Sequence, residues 1–201
     1  MRPTIGVLAL QGDFREHVYA LQSTGECETV LVKTPADLSR AQALVVPGGE
    51  STAMSKLAIA FDVLQPIRDR IADGMPTYGS CAGMIMLARE VLDGRPDQET
   101  FGGIDIVVRR NAFGRQVDSF EADLHAPLWG SDVLRAVFIR APWVEKCGPA
   151  VEVLARVEAG PHEGAVVAVR EEAVMATSFH PELTNDNRVH SYFAQFVRER
   201  V

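Results

Sequence analysis

Cysteine is scarce in this sequence. Three residues, Cys27, Cys81 and Cys147, are all that 201 positions hold, and no CxxC pair is among them. So odd and sparse a set argues against a disulfide framework or a structural zinc site, and implies a reducing compartment such as the cytoplasm. Long apolar runs are also missing. None approaches the roughly 18 residues that span a bilayer, so no membrane association is expected. The opening residues Met1 to Val7 run directly into a strand-like pattern, unlike a secretory leader. Long basic runs are missing too. The net charge is −7 and the pI about 5.2, with both signs mixed along the chain, so nothing favours nucleic acid. Without repeats, low-complexity tracts or a Pro/Gly/Ser-rich linker, the expectation is one domain over residues 1–201. What is present suits a packed core: 47% of residues are hydrophobic and 23% charged, ordinary for a globular chain and too apolar for a disordered one.

The first half alternates short apolar runs with helical patterns. Strands are expected at Thr4–Leu10, Thr29–Val32, Ala43–Val46 and Pro76–Tyr78. Helices are expected at Phe14–Gln22, Met54–Ala60, Val63–Ala72 and Ala82–Val91. Such alternation implies βαβ units around a parallel sheet covered on both faces. The second half is strand-rich: Ile104–Arg109, Val117–Leu124, Val133–Ile139, Val151–Val157, Ala165–Arg170 and Val174–Ser178. With little helix between them, these predict an antiparallel or mixed extension of the same sheet. A closing helix over Asn187–Arg200 places Val189, Phe193, Phe196 and Val197 at helical spacing for docking on the core.

Three segments carry chemistry. In Thr77-Tyr78-Gly79-Ser80-Cys81-Ala82-Gly83-Met84 a short strand meets an apolar helix at a cysteine flanked by glycines two positions away on each side. This is the form of a nucleophile elbow, with cysteine in the place of serine. A helix N-terminus favours a thiolate, and the Ala82 N–H is placed to stabilise an oxyanion. Most free cysteines are simply small buried hydrophobes. Cys27 and Cys147 keep that reading; the elbow takes Cys81 out of it.

The second segment, Ser178-Phe179-His180-Pro181-Glu182, ends a strand on a histidine with a carboxylate two residues on. A cysteine nucleophile needs a base, and the base needs an orienting acceptor; His180 and Glu182 supply both. Alone, the pair could be a strand-ending turn with a solvated carboxylate. His17, His125, His162 and His190 lack such a context and read as surface or helix residues. In the third segment, Val45-Val46-Pro47-Gly48-Gly49-Glu50-Ser51-Thr52, a buried strand runs into a double glycine, with Ser51 or Thr52 as a helix cap. The Gly49 N–H is the natural second oxyanion donor, although a plain turn before a helix has the same form.

In this order the three segments resemble the class I, triad-type glutamine amidotransferases. Gly6–Gly12, Pro47–Thr52, the block Arg110-Asn111-Ala112-Phe113-Gly114-Arg115-Gln116-Val117-Asp118-Ser119-Phe120-Glu121, Phe138–Pro142 and Ser178–Thr184 are similar to the glutaminase subunits of pyridoxal 5′-phosphate synthases within that family. The resemblance covers nearly the whole chain. It implies an α/β, flavodoxin-like three-layer domain with a central mostly parallel sheet and an antiparallel extension. It further implies hydrolysis of L-glutamine through a Cys81–His180–Glu182 triad and a thioester. The ammonia would pass to a (β/α)8-barrel synthase subunit in a hetero-oligomer. Glutamine binding would fall to Gly49, Glu50, Ser51, Arg110, Ile139 and Arg140, with charges that suit an amino acid's carboxylate and ammonium. Neither a metal nor a cofactor is implied. Two alternatives stand beside this one: another α/β cysteine hydrolase or peptidase with the same elbow, and an inactive scaffold that only binds a synthase.

Overall fold

Strands of β-branched and aliphatic residues form where the sequence alternates them with amphipathic helices. A computed structural model of the chain describes residues 2–110, 112, 119–130 and 133–201. The first half runs β1 (Thr4–Leu8), α1 (Phe14–Thr24), β2 (Glu28–Val32), α2 (Pro35–Leu38), β3 (Ala43–Val46), α3 (Ser51–Ala60), α4 (Leu64–Ala72), β4 (Thr77–Ser80) and α5 (Ala82–Leu87). The second half runs β5 (Ala88–Leu92), β6 (Ile104–Arg109), β7 (Ser119–Leu124), β8 (Leu134–Ile139), β9 (Trp143–Cys147), β10 (Glu152–Arg156), β11 (Val166–Glu171), β12 (Val174–Thr177) and α6 (Arg188–Arg198).

The main sheet has the order β2-β1-β3-β4-β12-β11-β9-β6-β5, with β10 beside β11. From β2 through β12 every neighbour is parallel. Antiparallel pairing begins at β11 and continues through β9 to β6. Because successive strand residues point to opposite faces, the core divides in two. Ile5, Val7, Ala43 and Val45 join Phe193 and Val197 of α6 on one face. Leu8, Leu44 and Val46 join Met54, Ile67 and Met84 of α3, α4 and α5 on the other. Three layers result, as expected.

The structure departs from the sequence reading in three places. The helix read over Ala82–Val91 stops at Leu87: Ala88 is extended at φ −74°, ψ 146°, and Ala88–Leu92 pairs parallel with β6. An apolar run this short fits either state, and the open sheet edge decides it. The strands near residues 119 and 139 do not extend the main sheet but pair as a separate two-stranded sheet, β7-β8. The expected strand start at Val117 and most of the Asn111–Asp118 block lie outside the described residues. Trp143–Cys147 was not read as a strand because Pro142, Glu145 and Lys146 interrupt its apolar pattern, yet β9 lies between β11 and β6. The closing helix docks through Val189, Phe193, Phe196 and Val197, all buried.

Candidate active site

The chain turns from β4 into α5 at Cys81, whose backbone sits at φ 48°, ψ −105°. A non-glycine residue with positive φ is uncommon and marks a backbone held by its surroundings. The hold is visible: the Cys81 N–H donates to the Thr177 carbonyl at 2.8 Å, tying the elbow to β12. The flanking glycines are required by close approach rather than flexibility. A Cβ on Gly79 would meet the Gly83 carbonyl carbon at 2.6 Å, and a Cβ on Gly83 would run into the Val46 carbonyl oxygen. The elbow is thus packed backbone to backbone onto β3. Since β3, β4 and β12 are parallel neighbours, their C-terminal ends bring the Gly48–Gly49 loop, Cys81 and His180 to one crevice.

His180 follows β12 and is fixed by its own N–H, which donates to the Val137 carbonyl of β8 at 2.9 Å. Its ring Nδ1 lies 2.6 Å from Glu182 Oε1 and 3.1 Å from Asp13 Oδ2. Nε2 is therefore the nitrogen left to face Cys81. Burial works against a charged imidazole, but hydrogen bonds to Asp13, Cys81 and Glu182 outweigh it and push the His180 pKa up to about 12. Burial pushes the Glu182 carboxyl up to about 7, against the pull of His180.

Beneath His180 and Glu182 lies a buried polar layer that the sequence did not announce. His17 and His190, read as surface or helix residues, are on helices but wholly buried. His17 Nε2 is 2.9 Å from Ser80 Oγ and 3.4 Å from Glu182 Oε2, while His17 Nδ1 is 3.0 Å from His190 Nε2. His17 Nε2 is thus hydrogen-bonded to Ser80 Oγ, whereas Glu182 Oε2 is buried with no hydrogen-bond partner. Burial lowers both histidines, His17 well below its ordinary value and His190 to about 4. Asp13 was missed as well. The signal that could have found it is topological: Asp13 follows β1, so it opens on the same strand ends as the elbow. His17, four residues on in α1, shares its face. His125 is exposed and His162 half-buried. Burial pushes the Cys27 thiol up to about 11 and raises Cys147.

The six residues implied for substrate, Gly49, Glu50, Ser51, Arg110, Ile139 and Arg140, line a single cavity of about 130 Å³ together with Cys81, Ala82 and Ile85. That is small beside the roughly 300–1,000 Å³ of sites for drug-sized ligands and suits one amino acid. Cys81 Sγ points to the Ile139 carbonyl at 3.9 Å. Arg140 carries a positive φ of 44°. Arg110 is pinned by Thr52 Oγ1 at 3.0 Å, Gln98 Oε1 at 2.9 Å and Glu50 Oε1 at 3.1 Å. The cap of α3 is Glu50, not Ser51 or Thr52. Its carboxylate accepts from the Thr52 and Ala53 N–H groups at 2.9 and 2.7 Å. A carboxylate reaches two first-turn amides and the helix dipole at once, which a hydroxyl cannot. Among the described residues, Asp13, His17 and Glu182 offer donor atoms within 4.8 Å of one another, as an ion would need. Two of the three already hold His180, so the cluster reads as support for the imidazole.

Residues 7–199 match the SNO glutamine amidotransferase family. A pyridoxal 5′-phosphate synthase subunit PdxT of Acidothermus cellulolyticus is 62% identical over 198 residues, 98% of this chain and 94% of that one. The protein of the same name from Nocardia farcinica is 61% identical, over 98% of this chain and 87% of the other. A crystal structure titled glutamine amidotransferase superposes with a TM-score of 0.86 at 46% identity, covering 96% of this chain and 98% of that one. The PurLQS structure from Thermotoga maritima, at 17% identity and a TM-score of 0.73 over 99% of each chain, shares the fold.

Proposed function

The chain belongs to the SNO glutamine amidotransferase family, and on that premise we propose that it hydrolyses L-glutamine with Cys81 as nucleophile, His180 as base and Glu182 as orienter. The thiol proton of Cys81 rests on the His180 imidazole, and Sγ attacks the amide carbon as a thiolate. The tetrahedral oxyanion is stabilised by the N–H groups of Gly49 and Ala82, and it collapses to a thioester as His180 returns the proton to the leaving ammonia. Water, activated by the same imidazole, then releases glutamate. Gly49, Glu50, Ser51, Arg110, Ile139 and Arg140 hold the amino-acid end. With Glu50 engaged in capping α3, its role is to keep Arg110 in place, and Arg140 is the freer cation for the substrate carboxylate.

The observation that carries this reading is the convergence of four distant segments on one amino-acid-sized cavity with Cys81 at its wall. The ammonia serves vitamin B6 synthesis, in keeping with the relatives named as pyridoxal 5′-phosphate synthase subunits. We assign its delivery to a (β/α)8-barrel synthase partner in a hetero-oligomer. The whole chain, residues 1–201, works as one amidotransferase unit in the cytoplasm. No described helix is long and apolar enough to cross a membrane. A glutamine-like electrophile added with the synthase present tests the reading. A covalent adduct on Cys81 is expected by mass spectrometry, blocked by excess glutamine. An adduct on Cys27 or Cys147 instead, with glutamine turnover intact, would overturn it.

A further inference from the structure

Asp13 does not do what an aspartate at the head of a helix usually does. Such a residue turns its carboxylate onto the first-turn amides. Asp13 precedes α1 at φ −87°, ψ 41°, and its side chain makes no capping hydrogen bond. It reaches instead across the crevice, placing Oδ2 3.1 Å from His180 Nδ1, the nitrogen that Glu182 Oε1 already holds at 2.6 Å. Its other oxygen, Oδ1, is buried with no hydrogen-bond partner. A buried carboxylate with an orphaned oxygen is unfavourable for stability, so helix capping and folding leave the placement unexplained. The ionisable groups around it are His180 and Glu182 from the turn after β12, His17 from the next turn of α1, and Cys81 beyond the imidazole.

We propose, building on the glutaminase reading above, that Asp13 is a positioning residue of the triad: a second carboxylate on His180 Nδ1 that keeps Nε2 aimed at Cys81. Glu182 places one oxygen, Oε1, on Nδ1, while its Oε2 is buried 3.4 Å from a neutral His17 with no hydrogen-bond partner. Asp13 supplies a second carboxylate to the same nitrogen. Burial opposes its ionisation, yet the hydrogen bond with His180 and that ring's charge hold it at about 2, so it is anionic whenever the imidazole carries the thiol proton. The same residue ties the base to the glycine loop. Its N–H donates to the Gly48 carbonyl at 3.3 Å, and a Cβ on Gly48 would meet His180 Cε1 at 2.5 Å. Asp13 thereby sets the distance between the imidazole and the loop proposed to hold the oxyanion.

The test is glutamine turnover, with saturating synthase, of Asp13→Asn, Asp13→Ser, Glu182→Gln and the Asp13→Asn/Glu182→Gln double variant. Asp13→Asn is expected to lower kcat about tenfold, the scale of one charge-assisted hydrogen bond, with KM unchanged. Asp13→Ser keeps a helix-capping hydroxyl and is expected to lose as much. The double variant is expected to lose more than the product of the single losses, because each carboxylate covers for the other. A shift in the pH profile of Cys81 alkylation by iodoacetamide is expected in both Asp13 variants. Wild-type kcat in Asp13→Asn, recovery by Ser, or a double variant no worse than Glu182→Gln would each overturn the proposal. If the wild-type chain with synthase turned over no glutamine, the glutaminase reading would fail. The alkylation profile would then decide the role of Asp13 alone, an unshifted profile overturning it.

Discussion

At the scale of single residues, the elbow at Cys81 and the His180–Glu182 pair were legible because their signals are short-range. Gly79, Cys81 and Gly83 lie within five positions, and the backbone collisions that a Cβ would cause explain why both glycines are needed. His180 and Glu182 are two apart, and the 2.6 Å contact is local geometry. Asp13 was illegible for the opposite reason: it meets His180 across a sequence separation of 167, and no spacing rule reaches that far. Three substitutions test these roles. Cys81→Ala is expected to abolish glutamine hydrolysis while thermal unfolding stays cooperative, since a methyl replaces a small buried group. Turnover at the wild-type rate under saturating synthase would end the nucleophile assignment. His180→Asn is expected to cost about 10²- to 10⁴-fold in kcat by removing the base. Glu182→Gln is expected to cost less, because Asp13 remains on Nδ1. Single-turnover assays separate the two, and a larger loss in Glu182→Gln would reverse the assigned roles.

At the scale of elements, period and punctuation located most strands and helices, and burial decided what they could not. The α5–β5 boundary is the instructive miss: Ala82–Val91 reads as one helix until an unpaired edge of β6 claims the part from Ala88 on. The elbow shows how tightly elements are set. Adding one methyl at Gly83 would press α5 against the Val46 carbonyl. Gly83→Ala is therefore expected to cost about 2 kcal/mol of stability and to impair turnover by shifting Cys81; unaltered melting and turnover would contradict it. A second joint is the contact of α1 with α6 through His17 and His190. Both stay neutral in the fold while the unfolded chain protonates near pH 6.5, so this pair lowers stability as pH falls from 6.5, for His190 down to about 4. Glu182 acts oppositely, its raised pKa of about 7 adding stability as pH falls from 7 to 4.5. The Asp13 contribution is lost only as pH falls through about 2, outside this window. His190→Asn is expected to remove about 3 kcal/mol of acid-side loss between pH 6.5 and 4. Denaturant melts at both pH values check this, and equal slopes for variant and wild type would refute it.

At the scale of the whole molecule, fold class, crevice and family were readable because they follow from strand order and three motifs, whereas the buried layer depends on how α1 and α6 close over them. The same scale governs control. Free hydrolysis would waste glutamine and lose ammonia to solvent, so a chain that feeds a synthase gains from being slow alone. The means lies in the loop after β3. Gly49 sits at φ 141°, a region that side chains rarely adopt, and Gly48 and Gly49 together can turn their shared peptide at little steric cost. The loop is held by the segment after β1: Gln11 Oε1 accepts from the Glu50 N–H at 2.8 Å, and the Asp13 N–H donates to the Gly48 carbonyl at 3.3 Å. A partner pressing on that segment would reset the loop and with it the Gly49 oxyanion donor. Loss of one such donor typically costs about 100- to 1,000-fold in kcat. The isolated chain is therefore expected to turn over glutamine slower than the complex by a factor of that order, chiefly in kcat. Steady-state rates for the purified chain, alone and with saturating synthase, check it. Equal rates would mean that the loop is always set, and would leave the triad standing without the switch.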